Sequence, residues 1–341
     1  MEKQKIYELD YIRGICCVLV ILYHYTTRYC EAFTDLNYYF SVPFGHMAVC
    51  SFFALSGFLC LYTGKEGVSL MSYFKNKFIR LYPVFWISMI VTTFVCIFAL
   101  PQVLVSIKDF VLNLTMVPEL FKAKPVDGAY WTLLRELVFY CFIAIVLKLK
   151  LKEKINIISF SWLAVLFLLY FINLKFDNVF ITLINYATIY NYAQQFIAGM
   201  MVYQICKSEN YKQSLFPIMN LILCLVCNLI TRGAGYTIFL AITILFILIA
   251  VLNSKFNFYK LSDKSICLLR PLAFLASISY PVYLIHQNLG YAIINLFEVN
   301  DITTELVIII PIAVSILLGW LLHKFVEIPT SKTLRKILFK G

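Results

Sequence analysis

Long apolar runs recur along the chain, separated by short polar connections. A helix that crosses a bilayer needs about 20 apolar residues, and stretches of roughly that length fall at 9–29, 43–62, 81–104, 131–147, 155–174, 186–206, 215–231, 235–252, 271–297 and 304–325. The pattern predicts an all-α integral membrane protein with about ten transmembrane helices. Little chain is left between the runs, so residues 1–341 are expected to form a single transmembrane domain with no soluble domain, and the bundle to contain the whole activity. The opening "MEKQK" looks like the charged start of a signal peptide. Arg13 interrupts the apolar run behind it, however, and no small-x-small site follows, so this run is expected to remain as a membrane helix.

The connections carry their own patterns. In "VSLMSYFKNKFIRLYP", Leu70, Tyr73, Phe74 and Phe78 fall to one side and Lys75, Lys77 and Arg80 to the other, which predicts an amphipathic segment lying on the cytoplasmic surface. Residues 105–130 form the longest external connection; with Pro118, Pro125 and Gly128 it is expected to dip partly back into the protein. From Lys324 onward the chain reads as a short basic amphipathic helix anchored on anionic lipid headgroups. No internal repeat or low-complexity linker divides the chain.

Composition agrees with the pattern. The chain is 62% hydrophobic and 14% charged, against about 25% charged in soluble domains, and its mean hydropathy is +0.83. The net charge of +11 would invite a nucleic-acid partner if it were clustered. Sorted by alternate connections, however, 21 Lys and Arg fall on one side and 6 on the other, with Arg13 and Arg135 inside helices. That is the positive-inside distribution; it places both termini in the cytoplasm, makes membrane lipids the partner of the basic side, and argues against nucleic acid. The 11 cysteines are odd in number and sit mostly in apolar runs. Cys224 and Cys227 lie three apart on one helix with no second pair, so the cysteines read as small packing residues and no metal site is expected.

Ionisable residues inside the apolar runs are the candidates for chemistry. A charge within a spanning helix costs about 2.5–3.5 kcal/mol on insertion scales, yet the first run carries both Arg13 and His24. Eleven residues of α-helix rise about 16 Å and return to within roughly 20° of the starting direction, so the two should line one stripe. The topology puts His24, His46, Glu136 and His286 in one outer layer, and Arg13, Lys77, Arg80 and His323 at the cytoplasmic end. Each has a plainer reading: a packing hydrogen-bond donor for His46 and His286, a snorkelling side chain for Arg13, topology markers for Lys77 and Arg80. The plain reading is weakest for His24 and Glu136, two ionisable groups at matching depth. An inner basic cluster suits a phosphate-bearing cytoplasmic donor. An outer His–Glu pair suits general-base attack by a hydroxyl, with the carboxylate orienting the imidazole. Together they imply transfer of a group through a membrane.

Six motifs in order resemble the acyltransferase family 3 membrane proteins. "LDYIRGICCVLVILYH" is similar to the family's first helix, with Arg, ten residues, then His; "GHMAVCSFFALSGFL" to its Phe-Phe…Leu-Ser-Gly-Phe helix; "KFIRLYP" to its basic Arg-x-x-Arg-like motif; "WTLLRELVFY" to its Trp-Thr-Leu-x-x-Glu-x-x-Phe-Tyr; "SISYPVYLIH" to its Ser-Tyr-x-x-Tyr-Leu-x-His; and "VEIP" to its closing Glu-x-Pro. The resemblance covers nearly the whole chain. It implies a membrane-bound O-acyltransferase, usually an O-acetyltransferase, in a bacterial inner membrane. The donor would be cytoplasmic acyl-CoA (acetyl-CoA or another short acyl-CoA) as co-substrate, with no bound cofactor; the acceptor would be a hydroxyl of a cell-envelope or exported glycan or a lipid-linked sugar. On this resemblance His24 and Glu136 are catalytic, Arg13, Lys77 and Arg80 hold the donor, and Ser56, Trp131 and Tyr280, with His46 and His286, serve the acceptor side or support it. Whether His24 takes the acceptor proton or carries the acyl group stays open. Lys77 departs from the common Arg, keeping charge but losing the fork. The bulky Phe52, Phe53, Phe58, Phe139 and Tyr140 favour a small acyl group.

Two other functions fit the helix count: a transporter or flippase for a polar or saccharide cargo, with a midplane His as proton relay, and a non-catalytic partner in polysaccharide export. The sequence lacks paired broken helices in matching halves, which argues against the first, and the second needs neither ionisable cluster.

Overall fold

The computed structural model describes residues 6–33, 40–173, 175, 179–257, 263–300 and 304–339, and no strand occurs among them. The α-helices are α1 (Tyr7–Tyr23), α2 (Val49–Thr63), α3 (Leu70–Ala99), α4 (Ile107–Asn113), α5 (Trp131–Lys148), α6 (Ile155–Asn173), α7 (Val179–Ala187), α8 (Ala193–Lys207), α9 (Tyr211–Arg232), α10 (Ala234–Phe256), α11 (Asp263–Glu298), α12 (Ile309–Leu322) and α13 (Ile328–Leu338). A π turn, His24–Arg28, carries α1 on into a short helix, Tyr29–Phe33; a second, His323–Glu327, joins α12 to α13. Among the described residues nine helices are long and apolar enough to cross a membrane.

One of the ten expected spans, 186–206, is not one helix. α7 stops at Ala187, the chain turns through Ile189 and Asn191 at φ 54° and 73°, and α8 then runs for 15 residues. At 1.5 Å per residue α8 is about 22 Å long, short of the roughly 30 Å hydrocarbon core. It tolerates this because every residue from Ala193 to Val202 is buried in protein. Irregular backbone at such a place must be satisfied by side chains. Here Trp162 Nε1–H donates to the Thr188 carbonyl (2.9 Å) and Gln194 Nε2 to that of Asn191 (2.8 Å).

A second expectation also changes. The amphipathic segment before residue 81 and the span after it form the single 30-residue α3, with Pro83 inside. Proline removes one ladder donor, but Val84, Phe85, Ser88 and Met89 are buried behind it and hold the continuation in place. The basic tail is helical as expected: it ends α13, where Lys75 Nζ donates to the Leu338 carbonyl (3.0 Å).

The chain divides into two compact units. One comprises Met1–Cys16, Met47–Leu70 and Arg135–Ala273; the other comprises Cys17–His46, Met71–Leu134 and Phe274–Gly341. In the first unit α2 and α8 cross with their backbones nearly touching. A Cβ on Gly199 would lie 1.8 Å from the Ala54 carbonyl oxygen, and one on Gly57 2.0 Å from that of Phe196. Only glycine allows this approach, the small-residue packing that membrane helices use in place of a hydrophobic drive. Phe196 then stacks on Phe53 and Phe139, with ring centres 4.5 and 4.2 Å apart.

The second unit is built on residues 274–298 of α11, against which the 105–130 connection packs. That connection does dip inward: Asn113, Met116, Pro118, Val126 and Asp127 are buried. Asn113 fastens it, accepting from Val126 N–H (3.0 Å) and donating to the carbonyls of Lys124 and Asp109 (2.8 Å each).

Candidate functional site

His24 opens the first π turn, where the α-helical ladder is interrupted. Such bulges reposition one side chain relative to a straight helix and concentrate at functional sites. Its Nδ1 lies 3.0 Å from the Tyr291 hydroxyl, and its ring meets that of His286 edge to face, with centres 4.9 Å apart. Among the described residues Nε2 has no hydrogen-bond partner. When Nδ1–H donates to the Tyr291 oxygen, Nε2 keeps a lone pair and can take a proton; the opposite tautomer makes it a donor.

His286 is fully buried, at 0% exposure. Its Nδ1–H donates to the Tyr283 carbonyl one turn back (2.8 Å), which leaves Nε2 a buried acceptor with no partner. His46, half-buried, donates from Nδ1 to the Pro43 carbonyl (2.6 Å). Its ring lies 4.9 Å from that of Tyr23, which in turn contacts His24. The three histidines placed in one layer by the sequence are thus linked side chain to side chain within the second unit.

α11 is clamped where it carries His286 and Tyr291. Tyr25, fully buried, donates to the His286 carbonyl (2.7 Å) and shares a 2.7 Å hydrogen bond with Ser315. Gly290 makes room for it: a Cβ there would sit 2.0 Å from the Tyr25 ring. Tyr291 is further walled by Tyr29 and Phe33, with ring centres at 5.4 and 5.2 Å.

The sequence reading did not single out Asp127, which is 1% exposed. Oδ1 accepts from Ala129 N–H (2.9 Å) and Oδ2 from Asn288 N–H (3.1 Å), while the Leu284 carbonyl accepts from the Tyr130 hydroxyl (2.9 Å). Asn288 N–H and Leu284 C=O are the two groups of one α-helical bond, and each has a side-chain partner from 127–130. Asn288 also donates to the Val126 carbonyl (2.9 Å). Burial pushes the Asp127 carboxyl from 3.8 up to about 7, against the two backbone donors that pull it down. Trp131, half-buried, follows this segment directly as the first residue of α5. Tyr280, lower on α11, donates to the Leu81 carbonyl (2.9 Å), beside the turn that Pro83 opens.

In the first unit, the half-buried Glu136 accepts from Ser56 Oγ (3.2 Å) and, through a very short contact, from Tyr140. Ser56 and Glu136, singled out separately from two motifs, therefore form one cluster. Arg13 pairs with Asp10 one turn back (3.0 Å), both side chains about four-fifths buried. In the second unit Lys77 Nζ sits 5.6 Å from the Tyr73 ring centre, and Arg80 is exposed. His323 and Glu327 bridge the second π turn at 2.7 Å.

Asp10 and Tyr291 were missed, and Tyr140 was read only as a wall beside the acyl group rather than as a partner of Glu136; simple spacing offered a signal for Asp10 and Tyr140. Asp10 is three residues before Arg13 and Tyr140 is four after Glu136, separations that share a helix face, whereas Tyr291 is five after His286, about 140° around the helix.

Comparison with known proteins bears on the whole chain. No curated protein and no solved structure matches it. A family model described as Acyltransferase domain, that of acyltransferase family 3, matches residues 6–324. That span takes in the His24 cluster, the Glu136 cluster and all nine spanning helices save the end of the last, and the chain, a multi-pass membrane protein, belongs to acyltransferase family 3.

Proposed function

We propose that this protein is a membrane-bound O-acetyltransferase, or more broadly a short-chain O-acyltransferase. It moves the acyl group from cytoplasmic acyl-CoA to a hydroxyl of an envelope or exported glycan or a lipid-linked sugar. The observation that carries the reading is His24: its Nδ1 is held by Tyr291, its Nε2 is unengaged, and a buried unpartnered His286 stands beside it.

In the direct route, His24 Nε2 takes the proton of the acceptor hydroxyl as its oxygen attacks the thioester carbonyl. The C–O bond forms, the C–S bond breaks, and the CoA thiolate leaves as the thiol, taking the proton that His24 accepted and so returning the imidazole to its neutral form. Tyr291 fixes the tautomer that leaves Nε2 basic. His286 Nε2, with no protein donor, is suited to receive a second hydroxyl of the acceptor, and His46 lends support through Tyr23. Glu136 is the second catalytic residue, on the strength of its motif and of a carboxylate kept between two hydroxyl donors. Arg13, Lys77 and Arg80 bind the CoA phosphates, Arg13 exchanging part of its pairing with Asp10 for them. Trp131, Tyr280 and Ser56 shape the acceptor side. Both termini lie in the cytoplasm of a cell with this protein in its inner membrane, in keeping with the Lys and Arg distribution.

Proteoliposomes of defined orientation test the scheme. Acyl-CoA supplied only at the face bearing Lys148–Lys154 should acylate a saccharide supplied only at the other, with free CoA on the donor side. If both substrates had to be on the Lys-rich face, transfer through the membrane would be wrong; if no acyl transfer occurred in any arrangement, so would the activity.

A further inference from the structure

The first unit holds a cation, Arg232, with no counter-charge among the described residues. Arg232 ends α9, with its guanidinium carbon 4.1 Å from the ring centre of Tyr236 and 4.8 Å from that of Tyr192. Among the described residues no carboxylate pairs with it, and its Nε is buried without a hydrogen-bond partner. A guanidinium taken part-way out of water is costly unless something accepts from it. The ring faces meet its plane and the Tyr236 hydroxyl engages one of its N–H groups, while Nε–H keeps no partner.

The neighbouring turns of the same helices carry the complementary deficit. Asn228, one turn back on α9, accepts from Gln195 Nε2 (3.1 Å) and Gln194 Nε2 (3.3 Å) and donates to Thr237 Oγ1 (3.2 Å). Gln195 is completely buried, yet its Oε1 has no donor. So residues 192–195, 228–232 and 236–237 hold a buried donor lacking an acceptor and a buried acceptor lacking a donor. Gly233, between them at φ 87°, borders open space: a Cβ there would meet nothing within 4 Å.

We infer that Arg232, flanked by Tyr192 and Tyr236, is a binding site for an oxyanion, a phosphate or carboxylate carried on a hydroxyl-bearing body such as a sugar. The fork takes two anion oxygens along the edge that the rings leave open. A ligand hydroxyl donates to Gln195 Oε1, and the Tyr faces pack on the rest. Calling this ligand the acyl acceptor rests on the acyltransfer reading; the binding itself does not.

Calorimetric titration of the purified protein in a zwitterionic detergent decides it, with glucose 1-phosphate, glucuronate, inorganic phosphate and glucose as probes. The two sugar anions should bind at least about tenfold more tightly than glucose, and Arg232→Gln should remove that preference. Arg232→Lys, which keeps the charge and loses the fork, should fall between and covers the case in which the Gln variant folds poorly. Arg232→Gln loses its contacts with Tyr192 and Tyr236, so its melting temperature without ligand is free to fall by a few degrees; the discriminating readout is the shift on adding glucose 1-phosphate, which should be present in wild type and absent in Arg232→Gln, and a purely structural Arg would leave that shift intact. Nanodiscs identify the source. Competition by phosphatidylglycerol, lost in Arg232→Gln and absent with phosphatidylcholine, would assign the oxyanion to a lipid phosphate; undiminished sugar-anion binding would assign it to the soluble ligand. Anion affinity independent of Arg232, or glucose bound as tightly as glucose 1-phosphate, would overturn the site. Intact binding in a protein that transfers no acyl group would overturn the activity and leave the site standing.

Discussion

Replacing Asp127 by Asn separates the cost of a buried carboxylate from its use. The folded carboxyl holds its proton up to about pH 7, whereas the unfolded one releases it near 3.8. Between those values the native state binds a proton the unfolded chain does not, so this group makes stability fall as pH rises, by at most about 1.4 kcal/mol per unit. The loss sums to about 4 kcal/mol and ends above pH 7. Asn stays neutral and lacks that slope. It offers one acceptor oxygen where the N–H groups of Ala129 and Asn288 now have two, a pH-independent penalty of about 1–3 kcal/mol. Wild type should therefore be the more stable protein at pH 5, with its advantage shrinking by roughly 2 kcal/mol by pH 7. At about 2 °C per kcal/mol for a chain of this size, the gap in apparent melting temperature closes by several degrees. Scanning fluorimetry of both proteins in detergent at pH 5, 6, 7 and 8 reads it. Tyr25, Tyr130, Tyr291 and Cys96, the titratable groups around Asp127, ordinarily ionise above this range, and the histidines are common to both proteins. A difference that stays constant from pH 5 to 8 would refute the buried, raised carboxyl.

His24→Ala should lower acyl transfer by about 10²–10⁴-fold, while Tyr291→Phe, which removes only the bond at Nδ1, should cost roughly tenfold in kcat with KM for the donor unchanged. CoA release measures both, and wild-type turnover in His24→Ala would remove it from the chemistry. Arg13→Ala and Arg80→Ala should each weaken acyl-CoA binding by about 1.5–3 kcal/mol, read calorimetrically; unchanged affinity in both would return them to topology markers. Gly199→Val places its branch into the Ala54 backbone, with no flexible neighbour to yield, and should cost more than the roughly 1–3 kcal/mol of ordinary overpacking. Recovery of monodisperse protein after extraction reports it, and a normal yield with a wild-type melting temperature would contradict the crossing.

Much of this was legible because membrane helices must satisfy their own backbones and so announce themselves as apolar runs. What the runs concealed is where protein replaces lipid as the surroundings. Residues 186–206 read as a span by hydropathy, yet α8 is short and buried in protein from Ala193 to Val202, and the turn at Ile189 and Asn191 is satisfied by Trp162 and Gln194. The amphipathic segment before residue 81 read as separate from the span after it because hydropathy changes there, whereas the packing of Val84 and Phe85 carries one helix through Pro83. At the site, depth reckoning on helices gathered His24, His46 and His286, and the structure joins them through contacts. It did not find Asp127, whose partners Ala129 and Asn288 are backbone groups that no side-chain pattern records.

The seating of Asp127 on α11 has a consequence for how the protein is made. Its partner Asn288 lies 161 residues further along the chain, and the Ser315 that completes the Tyr25 clamp lies 290 residues beyond Tyr25. At about 5–20 residues per second, Asp127 waits on the order of 10–30 s after it is synthesised before its helix partner exists. The intervening Arg135–Ala273 stretch belongs to the other unit, which gains its main block without interruption. The histidine-bearing unit is therefore the last to close. A ribosome stalled before Phe274 would release a chain with most of one core and an exposed, unmated polar segment, a natural substrate for membrane quality control.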